Sequence, residues 1–471
     1  MLQPRKFMRP SSSKRTSLLL LLTILSSLLL ATSVRGVGGW RAGVAEVNIT
    51  PREQIWLAGY AFRDRPSEGV LHDIYAKALA LQDARGNISV LVTCDLVGIS
   101  RSMAEAIARR SKERFNIPRD RLILNASHSH SSPVAGEALH LFYDMDAGQR
   151  AVTERYTRRL LEQMVDVIGD SIKQLAPAEL AFEQGLAGFA VNRRRAAPGN
   201  RHLPGPVDHD VPVLRVRNGK GNLRAVVFGY ACHATSLSGY QINGDYPGFA
   251  QEEVEKAHPG ATAMFVAGCG ADANPLPRIR GVLTEKSISL AATYGRILAT
   301  AVELVLQSEM KPLDGPLKTA WQHVDLPFQQ LPTREQLRAK LEKADDSFGR
   351  RQFNYLISVL DREGKLPDRY AYPVQVWQFG SSLTFIALAG EPVVDYSLRF
   401  KGQYGWDRVW VAGYCNDLPS YIPSLRVLRE GGYEGGEGMT GVGLPGPFSS
   451  AIEEIIAEKV DELVQRTRNQ K

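Results

Sequence analysis

The sequence predicts an α/β protein in which buried mixed β-sheets are flanked by helices and the functional site lies at the carboxyl ends of the strands. Three observations carry that expectation. Short β-rich runs alternate along the chain with longer amphipathic stretches, the order that builds sheets covered by helices. Several of the runs are almost continuously apolar, as strands buried on both faces are. Five runs are followed directly by His, Glu, Asp, Asn or Tyr, and sites in α/β sheets form in the crevice beyond the strand ends.

A leader precedes the first of these elements. Arg5, Lys6, Arg9, Lys14 and Arg15 are basic, residues 18–30 are apolar, and residues 31–36 offer small side chains for cleavage. That order reads as an export signal over residues 1–36, placing the protein outside the cell or in the periplasm. The apolar run is short for a bilayer span, which needs about 20 residues; an uncleaved anchor is the other reading. The leader holds six basic side chains (those five and Arg35) and no acidic one, so the formal +7 less those six leaves +1. The basic balance gives no reason to expect a nucleic-acid partner.

About 435 residues follow, enough for one large domain or two ordinary ones. They contain no low-complexity tract, heptad array or internal repeat. Strands are expected over 88–94, 121–125, 211–216, 225–231, 263–267, 383–388 and 408–412. Helices are expected over 102–115, 154–175, 246–257, 286–306 and 448–465. Residues 312–380 are less regular. With a basic helical segment at 333–343 and then Arg350 and Arg351, they read as an insertion or lid. Cys94, Cys232, Cys269 and Cys415 stand at or near the ends of apolar runs. Export permits disulfides, buried thiols suit such places too, and without a CxxC pair a structural zinc is not expected.

The strand exits carry the chemistry. After 121–125 comes "NASHSHSSP", with His128 and His130. After 225–231 comes "CHATS", with His233. "AMFVAG" leads into "CGADANP", with Asp272 and Asn274; "LTFIALAG" into Glu391; "RVWVAG" into "YCNDLPSYIPS", with Asp417 and Tyr421. Each alone has an ordinary explanation. His128 and His130 fit a hydrogen-bonded loop pair, His233 a satisfied core histidine, and Glu391 a carboxylate at a helix N-terminus. Together the imidazoles and the carboxylate form the nitrogen and oxygen set that suits zinc with a position left for water. Bound water there ionises near pH ~7. The common hydrolase signatures are missing: HExxH does not occur, "HSHSSP" lacks the Asp-His of HxHxDH, and no GxSxG elbow is present.

"NASHSHSSP", "VNRRR", "CHATS", "GDYPGFAQEEVE", "AGEP" and "YIPSLRVLREGGYEG" together resemble the catalytic N-terminal domain of the neutral/alkaline non-lysosomal ceramidases, in that family's order from about Gly43 onward. The resemblance implies one ceramidase-like catalytic domain over residues 37–471. It implies Zn2+ held by His128, His233, Glu391 and Tyr421, a catalytic His130, an active-site arginine falling best on Arg193 within the run 193–195, and a transition-state tyrosine at Tyr433. Two departures stand out. The family's "G-x-x-S-P-N" serine is replaced at Ala273 or Asn274 in "GADANP", which makes zinc-activated water the simplest nucleophile, with Asp272 and Asn274 orienting water or substrate. The chain also ends soon after its last helix, so the family's C-terminal β-sandwich is not expected. His72 with Asp73, and Asp208 with Asp210, match further family segments and read as supporting or structural pairs.

The expected activity is that of an exported zinc amidohydrolase acting on a ceramide-like or other N-acyl compound, a small molecule or lipid, with transient membrane-surface contact. The alternative is a zinc-containing ligand-binding protein of the same fold without turnover. Oligomeric state, acyl-chain length and headgroup leave no mark in the sequence.

Overall fold

The computed structural model describes residues 39–196, 205–279, 283–344, 347–439 and 441–470. The expected leader lies outside the described residues. Nearly continuous apolar runs set the architecture, because successive side chains of a strand point to opposite faces and such runs bury both. The first sheet is built from β1 (Trp40–Asn48), β2 (Tyr75–Gln82), β3 (Ile88–Cys94), β4 (Leu122–Ala126), β5 (Ala176–Leu186), β6 (Asp210–Asn218), β7 (Leu223–Tyr230) and β8 (Thr262–Ala267). Their order is β8-β7-β6-β5-β1-β2-β3-β4, and Lys311–Pro312 adds a short strand to β5. The β3–β4 and β7–β8 pairs are parallel and the pairs between them antiparallel. Ala78, Ala80, Val92 and Leu124 pack beneath α1 (Arg101–Phe115) and α2 (Ala147–Lys173). Their strand neighbours Leu79, Leu81, Leu91 and Ile123 face the opposite way.

That opposite face meets a second sheet, β9 (Leu317–Pro327), β10 (Arg369–Phe379), β11 (Leu383–Leu388) and β12 (Val409–Ala412), through Trp377, Phe379, Phe385 and Trp410. On the first sheet's helical side, α3 (Asp245–Ala257) and α4 (Glu285–Gln307) cover β6 to β8. The far side of the second sheet is covered by α7 (Ile452–Asn469), whose Ile452, Ile456 and Val460 join Val374, Val376 and Ile386. Buried mixed sheets flanked by helices are therefore the observed fold. The four cysteines are free and buried.

Several strands carry little periodic signal. Tyr75–Gln82 reads "YAKALALQ", whose alanines and leucines favour helix intrinsically. Burial of Ala76 to Leu81 overrides that preference, and Lys77 is accommodated by Glu255 (2.7 Å) and the Ala263 carbonyl (2.9 Å). Within 312–380, β9 and β10 are strands of the second sheet. Between them stand α5 (Arg334–Lys343) and α6 (Ser347–Glu363). Helix α2 begins well before residue 154 because Asp146 and Gln149 form a reciprocal cap at its start.

The sheets are joined where the site lies. Asn125, fully buried at the end of β4, donates through Nδ2 to the Gly413 carbonyl (2.8 Å) and accepts from the Ala267 N–H (3.0 Å). One side chain thus ties the carboxyl ends of β4, β8 and β12 together.

Candidate active site

Beyond β4 the chain turns at His128, whose φ of 60° lies in the left-handed region. For a residue with a Cβ that costs about 1–2 kcal/mol, so the surroundings must hold it. His128 Nδ1 lies 2.6 Å from the Val97 carbonyl. A carbonyl can only accept, so the proton sits on Nδ1 and Nε2 keeps its lone pair. His233, just past β7, is fixed in the same way: Nδ1 is 2.9 Å from the Gly270 carbonyl, and its own N–H donates to the Ala273 carbonyl (3.0 Å). Glu391, just past β11, brings Oε2 to 3.2 Å from the Nε2 of both histidines.

His130 completes the cluster. Its Nε2 is 3.0 Å from His128 Nε2, and the nitrogens of His128, His130 and His233 lie within 4.8 Å of one another, all buried. Gly59 and Tyr60 press on the other side of its ring, the Tyr60 ring centroid at 4.8 Å. Burial lowers the His130 imidazole well below its usual range, with His128 and His233 adding to the effect. Burial likewise brings His233 down to about 4. Glu391 behaves oppositely. Burial pushes it up, but His128 and His233 outweigh that and hold it well below the usual carboxylate range. His233 Nε2 and Glu391 Oε2 are both buried without a hydrogen-bond partner. Converging electron pairs of this kind are what a divalent cation satisfies, so the residues fit a zinc ion.

Tyr421 reaches the site from the segment after β12, in a short parallel pairing with Glu391. Its ring stacks parallel to His233 at 6.4 Å, and its hydroxyl accepts from Arg193 Nη2 (3.1 Å). Arg193 lies 5.5 Å over the Tyr421 ring and 5.8 Å over that of Tyr433. Tyr433 is 49% exposed and stands at the mouth, edge-on to Tyr421 at 5.2 Å. Of the arginine run, Arg193 is the one that reaches Tyr421. Arg194 turns away to Glu430 and Glu434.

Asp272 and Asn274 sit beneath this layer. The Asp272 carboxylate accepts from Asn192 Nδ2 and from the Val394 N–H, both at 2.9 Å, and its carbonyl holds the Arg193 N–H at 2.7 Å. Asn274 accepts from the Thr235 hydroxyl (3.3 Å). The "GADANP" segment thus backs His233 and Arg193. Asp417 leaves the site for Arg101 (2.8 Å) and the Tyr370 hydroxyl (2.6 Å). Asp208 and Asp210 pair with buried Lys401, and Asp73 accepts from Thr50. Two neighbours lie outside the set of residues the sequence singles out. The Tyr414 ring lies 4.4 Å from His128 with its hydroxyl buried and unpartnered. Glu434 binds Arg193 and Arg194.

The family model for neutral/alkaline non-lysosomal ceramidase, N-terminal, matches residues 40–275. Neutral ceramidase A of Dictyostelium discoideum is 25% identical over 249 residues, 49% of this chain and 34% of that protein. Neutral ceramidase of Drosophila melanogaster is 24% identical over 266 residues, 51% of this chain and 36% of that protein. The matched spans therefore cover about a third of these relatives' length. Among solved structures, neutral ceramidase from Pseudomonas aeruginosa superposes with a TM-score of 0.69 at 19% identity, covering 90% of this chain and 75% of that one. A ceramidase complexed with C2 gives 0.67 at 16%, covering 90% and 76%.

Proposed function

The chain belongs to the neutral/alkaline non-lysosomal ceramidase family, and from that premise we propose that it hydrolyses the amide bond of a ceramide-like N-acyl substrate. The observation that carries this reading is the convergence of His128, His233 and Glu391 with His130 held against them. His128, His233, Glu391 and Tyr421 would hold Zn2+. When bound, zinc supplies a Lewis acid that polarises the amide carbonyl and makes water acidic enough to attack near neutral pH.

The chain's own residues do the rest. His130, neutral because it is buried, takes a proton from the attacking water and returns it to the leaving nitrogen. Water and amide become carboxylic acid and amine. The Arg193 guanidinium and the Tyr433 hydroxyl flank Tyr421 and donate to the oxygen that gains charge. Asp272 orients Arg193 indirectly, through its backbone N–H. With alanine and asparagine at 273 and 274, no hydroxyl of that segment serves as nucleophile. The basic and apolar leader supports export. Helix α6 contacts the glycine-rich segment beyond Tyr433 through Gln352, whose Oε1 accepts from the Gly443 N–H (3.1 Å), and with α5 fits a cover over the mouth.

The test is release of fatty acid and amine from a panel of N-acyl sphingoid bases and short N-acyl amides, followed by mass spectrometry. Wild type should release both products in equal amounts and Glu391→Gln neither. Equal turnover by Glu391→Gln would refute the assignment.

A further inference from the structure

Glu434 follows Tyr433 directly but points the opposite way. Tyr433 is half exposed, whereas Glu434 is 4% exposed. The Glu434 carboxylate accepts from two arginines, Arg193 Nε on Oε1 (2.6 Å) and Arg194 Nη1 on Oε2 (2.8 Å). Arg194 is itself anchored to Glu430 (3.1 Å) and to the Gly431 carbonyl (2.8 Å). Charge-assisted contacts of this kind, out of water, are strong and little screened by salt.

The segment that carries these two residues needs such an anchor. Gly431, Gly432 and Gly436 have φ of 68°, 75° and 153°, and glycine backbone has little stiffness of its own. Its internal bonds, such as Gly438 N–H to the Tyr433 carbonyl (2.7 Å), keep the turn closed but tie it to nothing outside. Glu434 supplies a tie to the 193–194 turn. On the other side, Arg193 is a long side chain with many rotamers, and it spans from Glu434 to the Tyr421 hydroxyl. A guanidinium gripped at Nε can offer Nη2 in one direction only, because the group is planar and rigid.

We infer that Glu434 is a positioning residue: its carboxylate clamps Arg193 and Arg194 together, aiming Arg193 at the Tyr421 hydroxyl and pinning the glycine-rich segment that holds Tyr433 at the mouth. What is positioned rests on the amide-hydrolase reading; the clamp itself does not.

Glu434→Gln keeps the shape and removes the charge. Hydrogen exchange read by mass spectrometry should speed up about 10-fold in peptides spanning 431–438 and stay unchanged elsewhere. Zinc content should match wild type, kcat should fall about 10- to 100-fold, and KM should move less than about 3-fold. Glu434→Asp should restore part of kcat. Because part of its effect runs through Arg193, adding Glu434→Gln to Arg193→Gln should cost clearly less than Glu434→Gln costs the wild type. Should Glu434→Gln not fold, Arg194→Lys serves instead, since a lysine cannot span Glu430 and Glu434, and the same local exchange increase is expected. Unchanged exchange at 431–438, or a full independent loss in the double variant, overturns the inference. If wild type cleaves no N-acyl amide, the proposed function fails and the exchange result alone decides the clamp.

Discussion

Gly59→Ala is a single-methyl test of the role given to His130. Gly59 has a φ of +99°, and a Cβ there would stand 2.4 Å from His130 Cγ and 2.6 Å from Nδ1. Ordinary contact begins near 3.4 Å, so the ring must retreat by about 1 Å, a displacement that costs on the order of 10²-fold in rate at a reacting group. Retreat is blocked by His128, whose Nε2 is 3.0 Å from that of His130. Overpacking adds about 1–3 kcal/mol of destabilisation. The backbone strain adds about 1–3 kcal/mol more. Gly221→Ala isolates the strain, because Gly221 has a φ of +82° with nothing within 4 Å. Thermal melts and steady-state kinetics on both variants separate the clash from the strain. His128 and His233 are held by the Val97 and Gly270 carbonyls, so zinc should stay at about one per chain while kcat falls in Gly59→Ala only. Full kcat in Gly59→Ala would refute the packing argument. Zinc lost in step with activity would make His130 a ligand rather than a proton carrier.

Three further outcomes are expected. His233→Ala should bind less than a tenth of wild-type zinc, roughly, because one of about four donors is gone; full retention in plasma emission analysis of both His128→Ala and His233→Ala contradicts the site. Asp272 is pushed up from 3.8 to about 6, by burial first and then by Asp395 and Glu434. The folded state therefore holds more protons than the unfolded between those values, and stability from this group is present below pH 3.8 and lost as pH rises through about 6. In urea melts, Asp272→Asn should lose about 3 kcal/mol less than wild type between pH ~4 and ~7, and an unchanged slope would show that the carboxyl is not held neutral. No acyl-enzyme should accumulate in a rapid-quench burst, and Asn274→Ser should not be needed for turnover; a trapped acyl adduct would contradict water as the nucleophile.

The part of the site carried by short motifs was legible in the sequence. His128, His130 and His233 each stand just beyond an apolar run, and period-two burial makes such a run a strand whose end opens on the crevice. Glu391, Tyr421 and Tyr433 lie beyond the span matched by the family model. Their convergence with the histidines is a matter of sheet order, which spacing along a chain does not encode. The register of the arginine run was open for a similar reason. Only the positions of Tyr421, Glu430 and Glu434 separate Arg193 from Arg194. Tyr414 packs on His128 because its backbone turns at φ 53°, and nothing in "VAGYCND" marks that turn. Asp417 shows the converse, since a polar residue at a strand end was claimed by Arg101 instead. Among the strands, β2 was hidden by its alanines, and β9 and β10 by the irregular stretch around them.

A working metal site in this cluster of histidines and a glutamate ties N-acyl amide cleavage to bound zinc. The most direct measurement strips the purified protein with a chelator, restores Zn2+ in steps, and follows fatty-acid release from a short-chain ceramide at each step. Activity should be absent in the stripped protein and rise in proportion to bound zinc, levelling at about one ion per chain. Stoichiometric zinc binding with no product from any N-acyl substrate would contradict it and leave a binding protein built on the same fold.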